Sequence, residues 1–433
     1  MDSHKQLETP AVDPGSLTRA PGGEAQSSAR LGILWNGAAI TFLLCTAIMV
    51  LAVPVFPSQD GPVHLYYVDL VRSLLTHSGP YTQHFEIKAL LTPYLLEYYS
   101  LLVFEMAFSS EVSEKLLVCC YILAFGLGFR YLVQSVAEWR NPWTLAGIPF
   151  CMNMLVYMGF LNYCIGVALA LFLSGFWIRC QGRFRLGRIT AVLACFILML
   201  LTHPVPVAVF LLFAGLHFVA DLVRADAAGS GLCPLSLRAR WRPLAMITFM
   251  AGTATVWVGM FVNYSQLGSS MVSPVAELGW IRAVTTKLEL RDVAPFTSPS
   301  NRIGLVFLVA ATGLSLLVSV WKHRGHACSV AAAMIATSAI CFALSCIAPG
   351  SINGSFLFPQ RFGIFWVMFL IAAAAALRPP RLWRLVVGLI AVCATSAVLL
   401  LQWANVSRIA LEMRPVLDAP PSEGRIGGPH NCQ

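Results

Sequence analysis

Charge is what this chain has least of. Only 11% of its 433 residues are Asp, Glu, Lys or Arg, while 58% are hydrophobic and the mean hydropathy is +0.73. A water-soluble globule of this size does not show that balance, so a multi-spanning membrane protein is expected. Cysteines in CxxC spacing are absent as well. Most of the 13 cysteines, among them Cys45, Cys119, Cys120, Cys164, Cys195, Cys341 and Cys393, lie inside apolar runs. That placement favours small membrane-buried residues over disulfides or metal ligands. No small-residue cleavage pattern closes the first apolar run, Leu31 to Phe56, and the run is too long for the core of a secretory signal. It reads as a retained first transmembrane helix. The formal net charge of +9 does not signal nucleic acid, because the Lys and Arg sit in short clusters between apolar runs, where they act as topology signals.

What is present is a succession of apolar runs. Residues 1–31 are polar and rich in Pro, Gly, Ser and Ala, the composition of a disordered tail. A span needs roughly 20 apolar residues. After the first helix, candidates lie near 115–134, 143–159, 161–178, 189–203, 205–222, 243–263, 302–321, 327–348, 361–377 and 382–403. The fold class is therefore all-α and polytopic, with about eleven transmembrane helices. Four loops are basic: "RCQGRFRLGR" from Arg179, the Arg224 to Arg242 segment, "WKHRGH" from Trp321 and "RPPRLWR" from Arg378. The positive-inside rule puts all four in the cytoplasm, so the chain turns on the outer side at "THPVP". Parity then decides the segment from Leu90 to Phe108, which contains Pro93, Glu97 and Glu105. Counting it as a span would expose the Arg179 loop outside, so it reads as interfacial or re-entrant. The transmembrane domain covers 32–404, with a long first external loop at 57–114, a second at 264–301 and an external C-terminal tail at 405–433.

Under this topology the unusual polar residues converge on the outer face. Asp60 and His64 in "FPSQDGPVHLYY" are four apart, on one face of a helix that Gly61 and Pro62 can begin. Asp60 suits an N-cap accepting from Val63, and equally a general base, since a helix N-terminus keeps a carboxylate ionised and aims it. His203 beside Pro204 can satisfy exposed carbonyls or contact a ligand. Asn162 in "GFLN" reads as the cap of the helix beginning there. Glu97 and Glu105 read as wetting an interfacial helix, and Asp69 with Arg72 as a local surface pair. Gln360 and Arg361 open a span on the outer side, where Arg361 either snorkels or holds an anion. The second loop supplies cations, of which Arg282 is the candidate. Sequons at Asn263, Asn353 and Asn405 fall outside.

A first helix followed by a long external loop with an acid just after the membrane exit, then many more spans, resembles the C-type (GT-C) membrane glycosyltransferases. "PSQDGPVHLYYVDLVRSLL" looks like their first-loop segment, and "MGFLNYCIGVALAL", "LTHPVPVAVF" and "FPQRFGIFW" resemble stretches of bacterial relatives. The resemblance implies sugar transfer from a polyprenyl-phosphate carrier to a glycan, lipid or protein acceptor at the outer face of a bacterial cytoplasmic membrane. The family's base is a loop acid, which here carries over only to Asp60. Arg361, with His203 or Arg282, would hold the lipid phosphate, and His64 would orient Asp60 or bind a sugar hydroxyl, with Glu97, Asn162 and Gln360 lining the substrate site. Some members use paired acids for a divalent metal; Gln59 stands beside Asp60, so no metal or other cofactor is assigned. Two other classes fit the composition: a transporter or lipid flippase, and a non-catalytic envelope-assembly scaffold.

Overall fold

In the computed structural model the described residues are 23–87, 92–137, 141–181, 184–227, 234–265, 280–291, 293–294, 299–322, 328–349, 351–352 and 355–417. In chain order the helices are α1 (Gly23–Ala52), α2 (Gly61–Leu75), α3 (Leu95–Glu105), α4 (Ser110–Val136), α5 (Trp143–Ala146), α6 (Met154–Tyr157), α7 (Leu161–Cys180) and α8 (Leu186–Leu200). They continue as α9 (Pro204–Ala227), α10 (Pro234–Ser265), α11 (Trp280–Leu288), α12 (Pro299–Lys322), α13 (Ser329–Ile347), α14 (Gln360–Ala376) and α15 (Arg381–Leu417). A two-residue antiparallel ladder, Ser351–Ile352 with Ser355–Phe356, precedes α14.

Eight of these helices are long and apolar enough to cross a membrane: α1, α4, α7, α9, α10, α12, α13 and α15. Three further apolar segments, 143–157, α8 and α14, are shorter, and the sequence count of about eleven includes them. The chain is thus an all-α polytopic membrane protein. The 11 residues of α3 rise only about 16 Å, roughly half of a bilayer core.

Contacts divide the bundle into two ends. At one, Lys115 at the start of α4 donates to the Val53 and Pro54 carbonyls beyond α1, at 3.0 and 3.3 Å. At the other, Arg179 donates to the Gln134 carbonyl at the end of α4 (3.1 Å), Arg188 to Arg179 (3.4 Å) and Arg242 to Phe184 (3.0 Å). Two of the basic loops therefore share one end, opposite the start of α4. Close packing holds α4 to α7. A Cβ on Gly128 would sit 2.8 Å from the Ala168 carbonyl oxygen, and one on Gly175 2.9 Å from the Leu132 Cα. Small residues let the two backbones approach in a medium that gives apolar side chains no reason to associate. Helix α14 is buried on almost every face, which accounts for its unbroken apolar sequence and buries Arg361 in its first turn.

Several expectations are corrected. The 143–159 span is a chain of short pieces: α5, a 3-10 turn at Ile148–Phe150, and α6. It still runs the length of the bundle. Pro142 packs beside Trp35 and Gly388, while the Tyr157 carbonyl accepts from Gln59 at 2.8 Å. Pro149 lacks an N–H, and the Asn153 side chain accepts from Leu155 at 3.0 Å to start a new turn. Breaks of this kind persist at membrane depth only where protein encloses them, and nearly every residue from 141 to 157 is buried. Helix α1 begins at Gly23, so the end of the expected 1–31 tail is helical, and residues 1–22 lie outside the described residues. The C-terminal tail expected from 405 is helical to Leu417, beyond which lie undescribed residues. Asn263 and Asn405 fall inside α10 and α15 instead of in loops, where glycosylation acceptors belong, and Asn353 is outside the described residues. Of the second external loop only 264–265, 280–291, 293–294 and 299–301 are described, and the first two close α10. The 11 described cysteines are all free.

Val at Gly128 or at Gly175 will lower unfolding stability in detergent by about 1–3 kcal/mol, the usual cost of overpacking. Val at Gly187, whose surroundings are open, will not, and equal thermal midpoints for all three would refute the close α4–α7 packing.

Candidate functional site

The site is built on helix starts. As the chain leaves α1, Ser58 donates to the Glu114 carboxylate on α4, and this pair lies where a side chain at residue 61 would be. A side chain at residue 61 would displace this pair. Asp60 precedes α2, but its carboxylate makes no capping hydrogen bond; its backbone carbonyl accepts from Val63 and His64, both at 3.0 Å. That corrects the expected side-chain cap and leaves the carboxylate, half-buried, available for other work. Gly159, at φ +86°, lies against Asp60, and a Cβ there would come within 2.9 Å of Asp60 Cβ.

One turn on, His64 Nδ1 lies 2.9 Å from the Tyr98 hydroxyl and 3.8 Å from Glu97 Oε1. Glu97 in turn exchanges two bonds with Asn162. The Asn162 N–H donates to Glu97 Oε2 and the Glu97 N–H donates to Asn162 Oδ1, both at 3.0 Å. Asn162 Nδ2 also donates to the carbonyl of Tyr94 at 2.7 Å. The geometry is that of a reciprocal capping box, made between α3 and α7 across 65 positions instead of three. Two expectations change. Glu97 is 1% exposed and does not wet a helix face, and Asn162 does not cap its own helix. Glu97 caps α7, and Asn162 ties down the start of α3.

On the other side of the α7 start lies His203, whose Nδ1 accepts from Val205 N at 3.1 Å and so caps α9. Its Nε2 faces Arg361 Nη1 in direct contact and the Tyr94 hydroxyl at 3.5 Å. Tyr94 and Tyr163 set their rings edge-on to the imidazole at 5.1 and 5.5 Å, Tyr163 donates to the Arg361 carbonyl, and the Arg361 guanidinium lies 5.1 Å from the Phe160 ring centre. The groups form a closed circuit around the first turn of α7: Asp60, Gly159, Phe160, Arg361, His203, Tyr94, Asn162, Glu97 and His64. Four of the expected residues, His64, Glu97, Asn162 and Arg361, are thereby joined to His203 and Asp60.

Burial sets the protonation. It pushes the Glu97 carboxyl up to about 8 against the opposing Asn162 amide bond, and the Glu114 and Asp60 charges add to the rise. Burial also lowers His64, which Asp60 only partly offsets. Burial and the adjacent Arg361 hold His203 well below the ordinary imidazole range. At neutral pH the circuit thus holds a largely protonated Glu97 and two neutral histidines.

The remaining candidates lie apart or play smaller parts. Arg282 on α11 is exposed, and its side chain pairs with no described residue. Gln360 stands beside Arg361 with a buried Oε1 that has no hydrogen-bond partner among the described residues. The Glu105 side chain is buried instead of wet, facing Arg72 at 3.8 Å, while Arg72 pairs with Asp69 as expected. Glu114 and Tyr94 were missed. Glu114 sat one residue before the expected start of its span, though "SEVSEK" after Phe108 has the acidic character of a helix start. Among the described residues no three His, Cys, Asp or Glu side chains are grouped to hold a metal ion.

The fold and these contacts define a multi-pass, all-α integral membrane protein with a polar site at one end of its helices. No family model matches the chain, and no curated protein matches it either.

Glu97 makes stability depend on pH. Its folded pKa of about 8 exceeds the usual 4.5, so between those values the folded state holds a proton that the unfolded state does not. Stability then falls as pH rises. From pH 7.5 to 8 the lowered histidines are neutral in the folded state and about nine-tenths neutral in the unfolded one, whose ordinary value is 6.5, so the thermal midpoint will drop across that window. Glu97→Gln, which mimics the protonated form, will flatten the slope; an unchanged slope would show that Glu97 is not its source.

Proposed function

We propose that this protein is a membrane glycosyltransferase that moves a sugar from a polyprenyl-phosphate carrier to an acceptor hydroxyl. The observation that carries the reading is the juxtaposition of Asp60 and Arg361 across Gly159–Phe160, one free to take a proton and the other placed to hold an anion. Because His203 Nδ1 accepts from Val205, the neutral ring carries its proton on Nε2, the nitrogen that meets Arg361. Two donors that meet in this way favour an anion held by both. The starts of α7, α9 and α14 gather at the same place and add the positive ends of their dipoles. A lipid phosphate suits this setting, and a largely protonated Glu97 does not compete with it.

In the reaction the acceptor oxygen attacks the anomeric carbon, the bond from that carbon to the phosphate oxygen breaks, and the acceptor proton passes to Asp60. Arg361 and His203 stabilise the departing phosphate, which as a good leaving group needs charge more than an acid. His64, tied by Tyr98 and Glu97, borders Asp60 and can bind a sugar hydroxyl. Arg282 is left out of this scheme. The orientation follows from charge: with the Arg179, Arg188 and Arg242 end in the cytoplasm, the N-terminus is inside and the site faces outward, with eleven passages in all.

The transporter reading draws on the broken 143–157 passage, since transporters place discontinuous helices around substrate. Here that passage is packed on all sides, and the polar groups gather at the bundle end instead of midway, so transfer at the surface is favoured.

The test is transfer of labelled sugar from polyprenyl-phosphate sugars in reconstituted membranes. Asp60→Asn will reduce turnover by roughly 10²–10⁴-fold with an unchanged thermal midpoint, as loss of a general base does; full activity would leave Asp60 without a catalytic role. Arg361→Gln will abolish or strongly weaken carrier use; retained transfer in both variants would move the chemistry away from this site, and no transfer by the unaltered protein with any carrier would favour the scaffold reading.

A further inference from the structure

From the edge of the site a line of aromatic rings runs outward over the loop between α1 and α4. Ring centres are separated by 5.6 Å from His64 to Tyr98, 6.2 Å from Tyr98 to Tyr67, 5.9 Å from Tyr67 to Tyr66, 5.9 Å from Tyr66 to Tyr81 and 6.4 Å from Tyr81 to Phe85. Tyr66, Tyr67 and Phe85 are nearly half exposed. The line starts beside Asp60 and is continuous.

We infer that this track binds an oligosaccharide and delivers its end to Asp60, which makes the acceptor of the proposed transfer a glycan. The inference rests on the transferase reading for its destination, but not for the binding itself. Its support is chemical. Four of the rings are tyrosines, whose flat faces can stack on the C–H face of a sugar. Polar groups that can bond sugar hydroxyls border the track. Thr82, Gln83 and His84 lie between Tyr81 and Phe85, Glu86 follows, all four exposed, and the Asp69–Arg72 pair stands one turn after Tyr66. An isoprenoid chain or the bilayer would also cover aromatic rings. Exposed Glu86, Asp69 and Arg72 at the same level are costly in lipid, however, and favour a water-facing surface.

The full chain in lipid nanodiscs is tested, without sugar donor, against immobilised hexasaccharides of glucose, mannose, galactose, arabinose and N-acetylglucosamine. At least one will capture it. Tyr66→Ala and Tyr81→Ala will each weaken that capture by roughly tenfold, while Tyr81→Phe, which keeps the ring, will stay within about threefold. Capture by none of the sugars, or capture indifferent to ring removal, would overturn the inference. Hydroxyl-radical footprinting of the same discs reads the competing occupant: oxidation of Tyr66 and Tyr81 agrees with a water-facing track, whereas protection by the bilayer alone makes it a membrane anchor and overturns the glycan reading. Intact capture with no transfer under any donor would sink the transferase reading and leave the track standing; transfer without capture would do the reverse.

Discussion

The organisation of this molecule depends on how the first N–H groups of α7 are satisfied. A helix that starts inside or beside a bilayer has backbone donors that lipid cannot serve, and each one left unmade costs several kcal/mol. Here the donor of Asn162 is met by Glu97, a carboxyl from a helix 65 positions earlier, and the favour is returned through Asn162 Oδ1. That exchange fixes α3 against α7. With Tyr94 bonded to the same asparagine, it also sets where the Tyr94 ring can stand, and hence the wall against which His203 and Arg361 are packed.

The same logic repeats around the site. His203 serves the start of α9 through one ring nitrogen, and Lys115 closes the open carbonyls after α1. A side chain that satisfies a helix end is also held rigidly and brought near its neighbours. Asp60 is the exception that makes the arrangement useful. Its backbone carbonyl does the helical work, so its carboxylate is not consumed by a cap.

The first loop adds a second level. The Ser58–Glu114 contact, the absence of a side chain at Gly61 and the bond from Gln59 to Tyr157 fasten its beginning to α4 and to the broken 143–157 passage. From that fastened edge the tyrosines of α2 extend to the periphery. Rigid support near Asp60 and open aromatic surface further out are the two properties a loop needs to orient a large substrate.

The sequence by itself determined that this chain is helical and membrane-embedded, because composition and run length report directly on transfer from water to lipid. It also marked most of the polar residues that gather at one end, since polar groups between apolar runs stand out. It could not tell that Glu97 is buried: eleven residues of α3 carry no sign of what packs on them, and the partner lies on α7. Nor could it see that the 143–157 run is broken, because Pro149 and Gly147 allow a kinked span as readily as separate turns, and only enclosure by neighbouring helices makes the second affordable. Arg282 looked equal to Arg361 on charge alone. The tertiary structure separated them by burying one in the first turn of α14 and leaving the other exposed on α11, for burial is a property of what surrounds a residue and not of the residue itself.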